Sequence, residues 1–253
     1  MTTIAVAGKG GTGKTTLAAL AVQYLVRRGE TPVLAVDADP NSNLGQTLGI
    51  GVPITVGSAR EQGFAGERAI PGGMTKDQFV EYKIQEALAE GEGFDLLTMG
   101  RPEGAGCYCF ANNIIRRYMD ALAGDYRHVV MDNEAGLEHI SRRTTRKTDV
   151  LMLVADAGVR GIQAARRVLD LAVEMKLEVG RTVFVLNRAS EAAVAALMPE
   201  IERLELPLVA TVPEDPGLFE AEVAGKSLLE IAGESPAVAA AAALFDGVFG
   251  LQG

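Results

Sequence analysis

Tryptophan is absent from this sequence, aromatic residues make up 5% of it, and 253 residues contain two cysteines and two histidines. Without tryptophan and with so few aromatics, a core has to be built from Val, Leu, Ile and Ala, which the 48% hydrophobic content can supply. Two cysteines exclude a disulfide-stapled scaffold. They stand at positions 107 and 109, a spacing poorly suited to an unstrained bridge between them. Basic residues are outnumbered, 24 against 33 acidic, for a net charge of -9. That balance disfavours a duplex-binding protein, which needs a concentrated basic face to neutralise phosphates. The short clusters Arg116–Arg117 and Arg142–Arg143 with Arg146–Lys147 read as solvated helix faces or loop ends. No apolar run approaches the roughly 20 residues of a membrane span. The start "MTTIAVAGKGG" lacks the basic and long apolar regions of a signal peptide. The expectation is a cytoplasmic chain that binds neither nucleic acid nor membrane. The C-terminal "PAVAAAAALFDGVFGLQG" is apolar but broken by Asp246 and Gly247, and it carries no Lys or Arg. It reads as a packing helix and not as a membrane-surface helix.

What is present is alternation. "TIAVAG", "PVLAVDAD", "FDLLTMG", "HVVMDNE", "DVLMLVAD", "TVFVLN" and "LVATVPED" are short apolar runs. Between several of them lie helical patterns: "TTLAALAVQYLVRRG", "KDQFVEYKIQEALAEG", "NNIIRRYMDALAG", "GIQAARRVLDLAVEMKLE" and a segment around 191–203. In the second pattern Phe79, Ile84 and Leu88 fall near one face. Continuous apolar strands alternating with helices predict an α/β fold with a mostly parallel sheet covered on both faces. Residues 41–76 are the least regular stretch. No repeat or linker divides the chain, so residues 1–253 are read as one domain.

The most specific motif is "GKGGTGKTT", residues 8–16. It fits G-x-x-x-x-G-K-[ST] through Gly8, Gly13, Lys14 and Thr15, after an apolar run and at the start of a helical one. Its glycines let backbone N–H groups converge on an anion at a helix N-terminus. Lys14 would offset β- and γ-phosphate charge, and the Thr15 hydroxyl would ligate Mg²⁺. Two acidic strand ends accompany it. "VDADPNSN" places Asp37 and Asp39 where open parallel sheets bind ligands, and "VVMDNEAG" places Asp132 after an apolar run. Aspartates at strand ends also cap turns and helices, and that alternative applies to both Asp39 and Asp132.

The additional lysine within the loop, Lys9, makes "KGGTGKTT" resemble the deviant Walker A motif of the MinD/ParA/nitrogenase iron protein superfamily of dimeric ATPases. The resemblance implies an ATP–Mg²⁺ site formed by Gly10, Gly11, Thr12, Gly13, Lys14, Thr15 and Thr16, with Lys9 reaching across a homodimer to the partner's nucleotide. It further implies that Asp39 orients the attacking water in switch I, while Asp37 bonds loop backbone or a Mg²⁺-bound water. Asp132 and Gly136 would belong to the Walker B strand and switch II. Asn187, Pro213 and Glu214 would lie around the adenine.

In "GCYCFANN", Cys107 and Cys109 can be two small buried hydrophobes. They can also be half a metal site, because side chains two residues apart on an extended segment share a face. A two-fold axis would then complete four thiolate ligands. "GCYCFANN" and "MDNEAGLEH" resemble the carbon monoxide dehydrogenase maturation ATPases of the CooC type. That resemblance implies Ni²⁺ or Zn²⁺ held between subunits by Cys107 and Cys109. It also implies ATP-driven metal delivery to carbon monoxide dehydrogenase or acetyl-CoA synthase. His139 is read as a structural or switch residue and His128 as unremarkable. Two rival readings are a reductase like the nitrogenase iron protein and a positioning ATPase of the MinD/ParA kind. The first takes its cysteines from well-separated loops; the second calls for a basic face or a basic C-terminal helix.

Overall fold

A computed structural model describes residues 1–58, 73–100, 121–134, 147–230 and 235–251. The strands are β1 (Thr2–Gly8), β2 (Val33–Ala38), β3 (Leu88–Glu90), β4 (Phe94–Thr98), β5 (His128–Asn133), β6 (Lys147–Asp156), β7 (Glu178–Asn187) and β8 (Leu208–Val212). Among the described residues they form one sheet in the order β3-β4-β2-β5-β1-β6-β7-β8. Every pairing is parallel except that of β3 with β4. The helices are α1 (Lys14–Arg27), α2 (Leu44–Leu48), α3 (Lys76–Glu86), α4 (Val159–Glu174), α5 (Glu191–Arg203), α6 (Pro216–Val223) and α7 (Pro236–Phe249).

Both faces of the sheet are buried, which explains why the strands read as continuous apolar runs. On one face Ile4, Val6, Val33, Ala35, Val130 and Met152 pack with α1 and with Ala237, Val238, Ala241, Leu244 and Phe245 of α7. On the other, Ala5, Ala7, Leu34, Val36, Met131 and Leu151 pack with Ile162 and Ala165 of α4 and Ile201 of α5. The C-terminal helix is thus a packing element. Its Phe245 is fully buried, so Phe245→Ala would cost about 3–5 kcal/mol.

The chain leaves β1 into α1 at the point where successive strands change sides. β2, β4 and β5 lie on one side of β1, and β6, β7 and β8 on the other. This is the position at which open α/β sheets bind ligands, outside the C-terminal ends of the strands.

Two helical stretches are shorter than their patterns predict. The helix expected through residue 91 stops at Glu86, and Leu88–Glu90 instead pairs antiparallel with Leu97–Asp95. A turn drives this change: Gly91 N–H donates to the Phe94 carbonyl at 2.8 Å, and Gly93 adopts φ 80°, a region open chiefly to glycine. At the other end of α3, Thr75 and Gln78 form a reciprocal capping box, as T-x-x-Q allows. The helix expected through residue 178 ends at Glu174, because β7 begins at Glu178 alongside Lys147.

Candidate functional site: a phosphate loop with a buried acidic row

The loop between β1 and α1 is built on glycines with little freedom to change. Gly13 caps α1 at φ 89°, and a Cβ there would lie 2.2 Å from the Asn187 amide nitrogen. At Gly8 a Cβ would lie 2.1 Å from the Val154 carbonyl oxygen, so close approach of β1 to β6 excludes a side chain. Lys14, in the first turn of α1, is buried, and its ammonium donates to the Lys9 carbonyl at 3.1 Å. The Thr12 hydroxyl donates to the same oxygen at 2.9 Å. Burial pulls the Lys14 pKa below its usual value, while Asp132, Asp39 and Glu134 pull the other way. Lys9 itself is exposed, as are Gly10 and Gly11; Thr15 and Thr16 are half-buried.

Facing this loop is a row of polar side chains on three adjacent strands. Thr98 (β4), Asp37 (β2), Asp132 (β5) and Val6 (β1) are successive register partners. They lie on the face that packs α1, since residues two positions earlier (Leu96, Ala35, Val130 and Ile4) belong to that core. Asp37 is fully buried; its carboxylate accepts from Asp39 N–H at 3.1 Å and from Leu44 N–H at 2.9 Å. It therefore ties the loop after β2 to the start of α2, the backbone-bonding role expected of it. Desolvation raises its pKa to about 6. Asp39 is half-buried, and its carboxylate accepts from Asn41 N–H at 2.8 Å. In this state Asp39 stabilises its own turn.

Asp132 is 1% exposed, and neither carboxylate oxygen has a well-formed hydrogen-bond partner. Burial raises its pKa to about 7; proximity of the Thr15 hydroxyl and of Lys14 opposes the rise, and Asp37 and Asp39 add to it. A buried carboxylate without partners is costly unless a cation is supplied. The Thr15 hydroxyl beside an orphaned Asp132 fits Mg²⁺, which keeps most of its shell as water and phosphate oxygen. Among the described residues no group of three or more His, Cys, Asp or Glu could hold a metal ion. A phosphate-borne Mg²⁺ does not require one.

On the far side of the loop, Asn187 at the end of β7 is buried, and its Nδ2 donates to the Thr12 carbonyl at 2.8 Å. A carbonyl can only accept, so the amide must turn its NH₂ there, which turns the acceptor Oδ1 away from the Thr12 carbonyl. Pro213 is half-buried and Glu214 exposed in the connection from β8 to α6. Asp215, which ends that connection, caps two helices. One oxygen accepts from Gly217 and Leu218 N–H at 2.9 and 3.3 Å, and the other accepts from Ala237 N–H at 3.2 Å and from Ser235. His128 is buried at the start of β5, edge-on to Phe249 at 5.1 Å and 3.4 Å from Glu30. Cys107, Cys109, Gly136 and His139 lie outside the described residues.

Motif reading missed Thr98, Asp215 and Arg188. Thr98 is buried with an unpartnered hydroxyl, and only strand register reveals its position beside Asp37. Arg188 donates to the Gly11 carbonyl; its one sequence signal is adjacency to Asn187.

A glycine-bounded anion loop at a sheet switch point, opposite a buried strand-end aspartate, defines a P-loop nucleotide-binding protein. Residues 3–228 match the model of the CobQ/CobB/MinD/ParA nucleotide-binding domain, and the chain belongs to that family of ATPases. It is 42% identical over 224 residues to an uncharacterized ATP-binding protein of Methanocaldococcus jannaschii, covering 88% of each chain. It is 30% identical over 266 residues to the carbon monoxide dehydrogenase accessory protein CooC of Rhodospirillum rubrum, covering 99% of this chain and 98% of that one. Its fold is similar to that of the septum site-determining protein MinD of Pyrococcus horikoshii, solved with Mg-ADP. That match has a TM-score of 0.70 and 22% identity, and covers 99% and 96% of the two chains.

Proposed function

We propose that this protein is an ATP-hydrolysing metallochaperone. It holds Ni²⁺ or Zn²⁺ between two subunits through Cys107 and Cys109, and couples ATP turnover to metal insertion into carbon monoxide dehydrogenase or acetyl-CoA synthase. The observation that carries this reading is the full-length similarity to a carbon monoxide dehydrogenase accessory protein, in a chain whose two cysteines form a C-x-C pair.

In this account the backbone N–H groups of the loop through Gly13, with Lys14 and Thr16, bind the nucleotide phosphates. The Thr15 hydroxyl and the Asp132 carboxylate hold Mg²⁺, which when bound neutralises charge on the β- and γ-phosphates. The Asn187 Oδ1 accepts from the exocyclic amino group of adenine, with Pro213 and Glu214 beside the base. Asp39 leaves its turn to orient water toward the γ-phosphate, so catalysis is positional and electrostatic. Lys9, exposed and uncommitted to the loop's interior, reaches the partner subunit's nucleotide in the homodimer. Gly136 would let backbone approach the γ-phosphate, and switch II, starting at Asp132, would report nucleotide state toward the cysteine segment. The metal ion is cargo, and the thiolates are its grip.

The test is delivery. Metal-loaded protein with ATP should activate metal-free carbon monoxide dehydrogenase or acetyl-CoA synthase, and Lys14→Ala should deliver nothing. Equal activation by free Ni²⁺ at the same concentration would defeat the proposal. The MinD-like fold keeps a positioning ATPase as the second reading. ATP-dependent co-sedimentation with anionic liposomes or DNA would favour it. Visible absorption that bleaches on reduction would favour the iron–sulfur reductase.

A further inference from the structure

β7 ends at Asn187, and the chain turns through Arg188 at φ 53°. A non-glycine residue holds this left-handed conformation only where surrounding contacts over-determine it. The turn sends two consecutive side chains to two consecutive carbonyls of the phosphate loop. Asn187 donates to Thr12 and the exposed Arg188 donates to Gly11. In a planar trans peptide the C=O and the following N–H point in opposite directions. The Gly11 carbonyl shares its peptide plane with the Thr12 N–H, and the Thr12 carbonyl shares its plane with the Gly13 N–H. Holding both carbonyls toward β7 therefore turns both N–H groups away from it. A donor on the carbonyl also polarises the peptide and strengthens its N–H as a donor. Gly11, at φ 79°, has no side chain to resist a flip of that plane, so the loop needs an external restraint there.

We propose that Arg188 is a positioning residue of the phosphate loop. Together with Asn187 it fixes the peptide planes on either side of Thr12 from outside, so that anionic phosphates meet donors already aimed. Asn187 joins the base side of the site to this restraint; Arg188 acts on the phosphates alone. The assignment depends on the nucleotide site and is independent of any metal cargo.

The experiment measures affinity for two probes, inorganic tripolyphosphate and Mg-ADP, by calorimetry on the full chain. Arg188→Ala should weaken both by the same factor, about tenfold, the scale of one charge-assisted hydrogen bond. Arg188→Lys, which keeps one donor, should recover much of the loss. Arg188→Gly should bind as weakly as Arg188→Ala while relieving the left-handed backbone, so it separates lost positioning from strain. The Thr12 amide resonance should shift in both truncations. Weakened Mg-ADP with unchanged tripolyphosphate would place Arg188 on the base or sugar and overturn the proposal. Unchanged affinity for both probes would overturn it as well.

Discussion

The Asn187 amide nitrogen stands where a Cβ on residue 13 would lie, 2.2 Å from that position, although the two residues are far apart in sequence. Conventionally the glycine before the P-loop lysine is explained by backbone conformation. Here it is also required by a side chain arriving from β7. Gly13→Ala should therefore abolish detectable nucleotide binding and cost roughly 1–3 kcal/mol of stability, since φ 89° is itself unfavourable for alanine. A double-mutant cycle with Asn187→Ala should be non-additive, because removing the amide relieves the clash but not the strain. Additive effects on denaturant midpoint would mean the two residues do not compete for that space.

Lys14 is buried, which lowers its pKa, and the charges of Asp132, Asp39 and Glu134 oppose that lowering. Lys14→Ala should reduce ATP turnover by at least about 10²–10³-fold, as loss of a donor at a developing charge does. The fold should survive, because the ammonium makes one bond to a loop carbonyl and none to the sheet. Steady-state hydrolysis alongside circular dichroism checks both halves.

His128 makes a pH prediction. Burial lowers its pKa, the Glu30 contact opposes this, and the Arg127 and N-terminal charges add to the lowering. The unfolded chain then binds more protons than the folded one just below the ordinary histidine value of about 6.5. This group's contribution is full above that value and is lost as pH falls through the folded pKa. Asp37 and Asp132, with raised pKa values of about 6 and about 7, act in the opposite sense, so the readout must be a difference. The stability of wild type minus that of His128→Gln should decrease as pH falls below about 6.5. A difference that is flat from pH 8 to 5 would contradict the assignment.

Asp215 joins the starts of α6 and α7 through one carboxylate, and its bonds, Ser235 foremost, lower its pKa. Asp215→Ala removes the α6 cap and the carboxylate that binds Ala237 N–H and Ser235, the α7 cap residue, and should cost roughly 1–3 kcal/mol; Asp215→Asn should cost less. Chemical denaturation measures it, and an unchanged midpoint would refute the dual cap.

The parallel sheet, the P-loop and the acidic strand ends were legible because each is local. Apolar runs, glycine spacing and an aspartate after a strand occupy a few contiguous residues. The helix ends at Glu86 and Glu174 were not, because strands beginning at Leu88 and Glu178 compete for the same residues, the first through a hairpin with Leu97–Asp95 and the second through pairing with the remote Lys147 strand. Propensity does not register such pairing. Thr98 beside Asp37, and Arg188 over Gly11, depend on strand order, which no local pattern encodes. Asp39 carries two readings, a catalytic role implied by the family resemblance and a turn role given by its strand-end position, and here its carboxylate accepts within its own turn.

The proposed metallochaperone requires the paired cysteines to grip a metal ion across a dimer. Native mass spectrometry of wild type and of Cys107→Ser/Cys109→Ser, titrated with Ni²⁺ and with Zn²⁺, tests it most directly. One metal ion per wild-type dimer and none in the variant is the expected result; metal binding unchanged in the variant would exclude the cysteines as the grip.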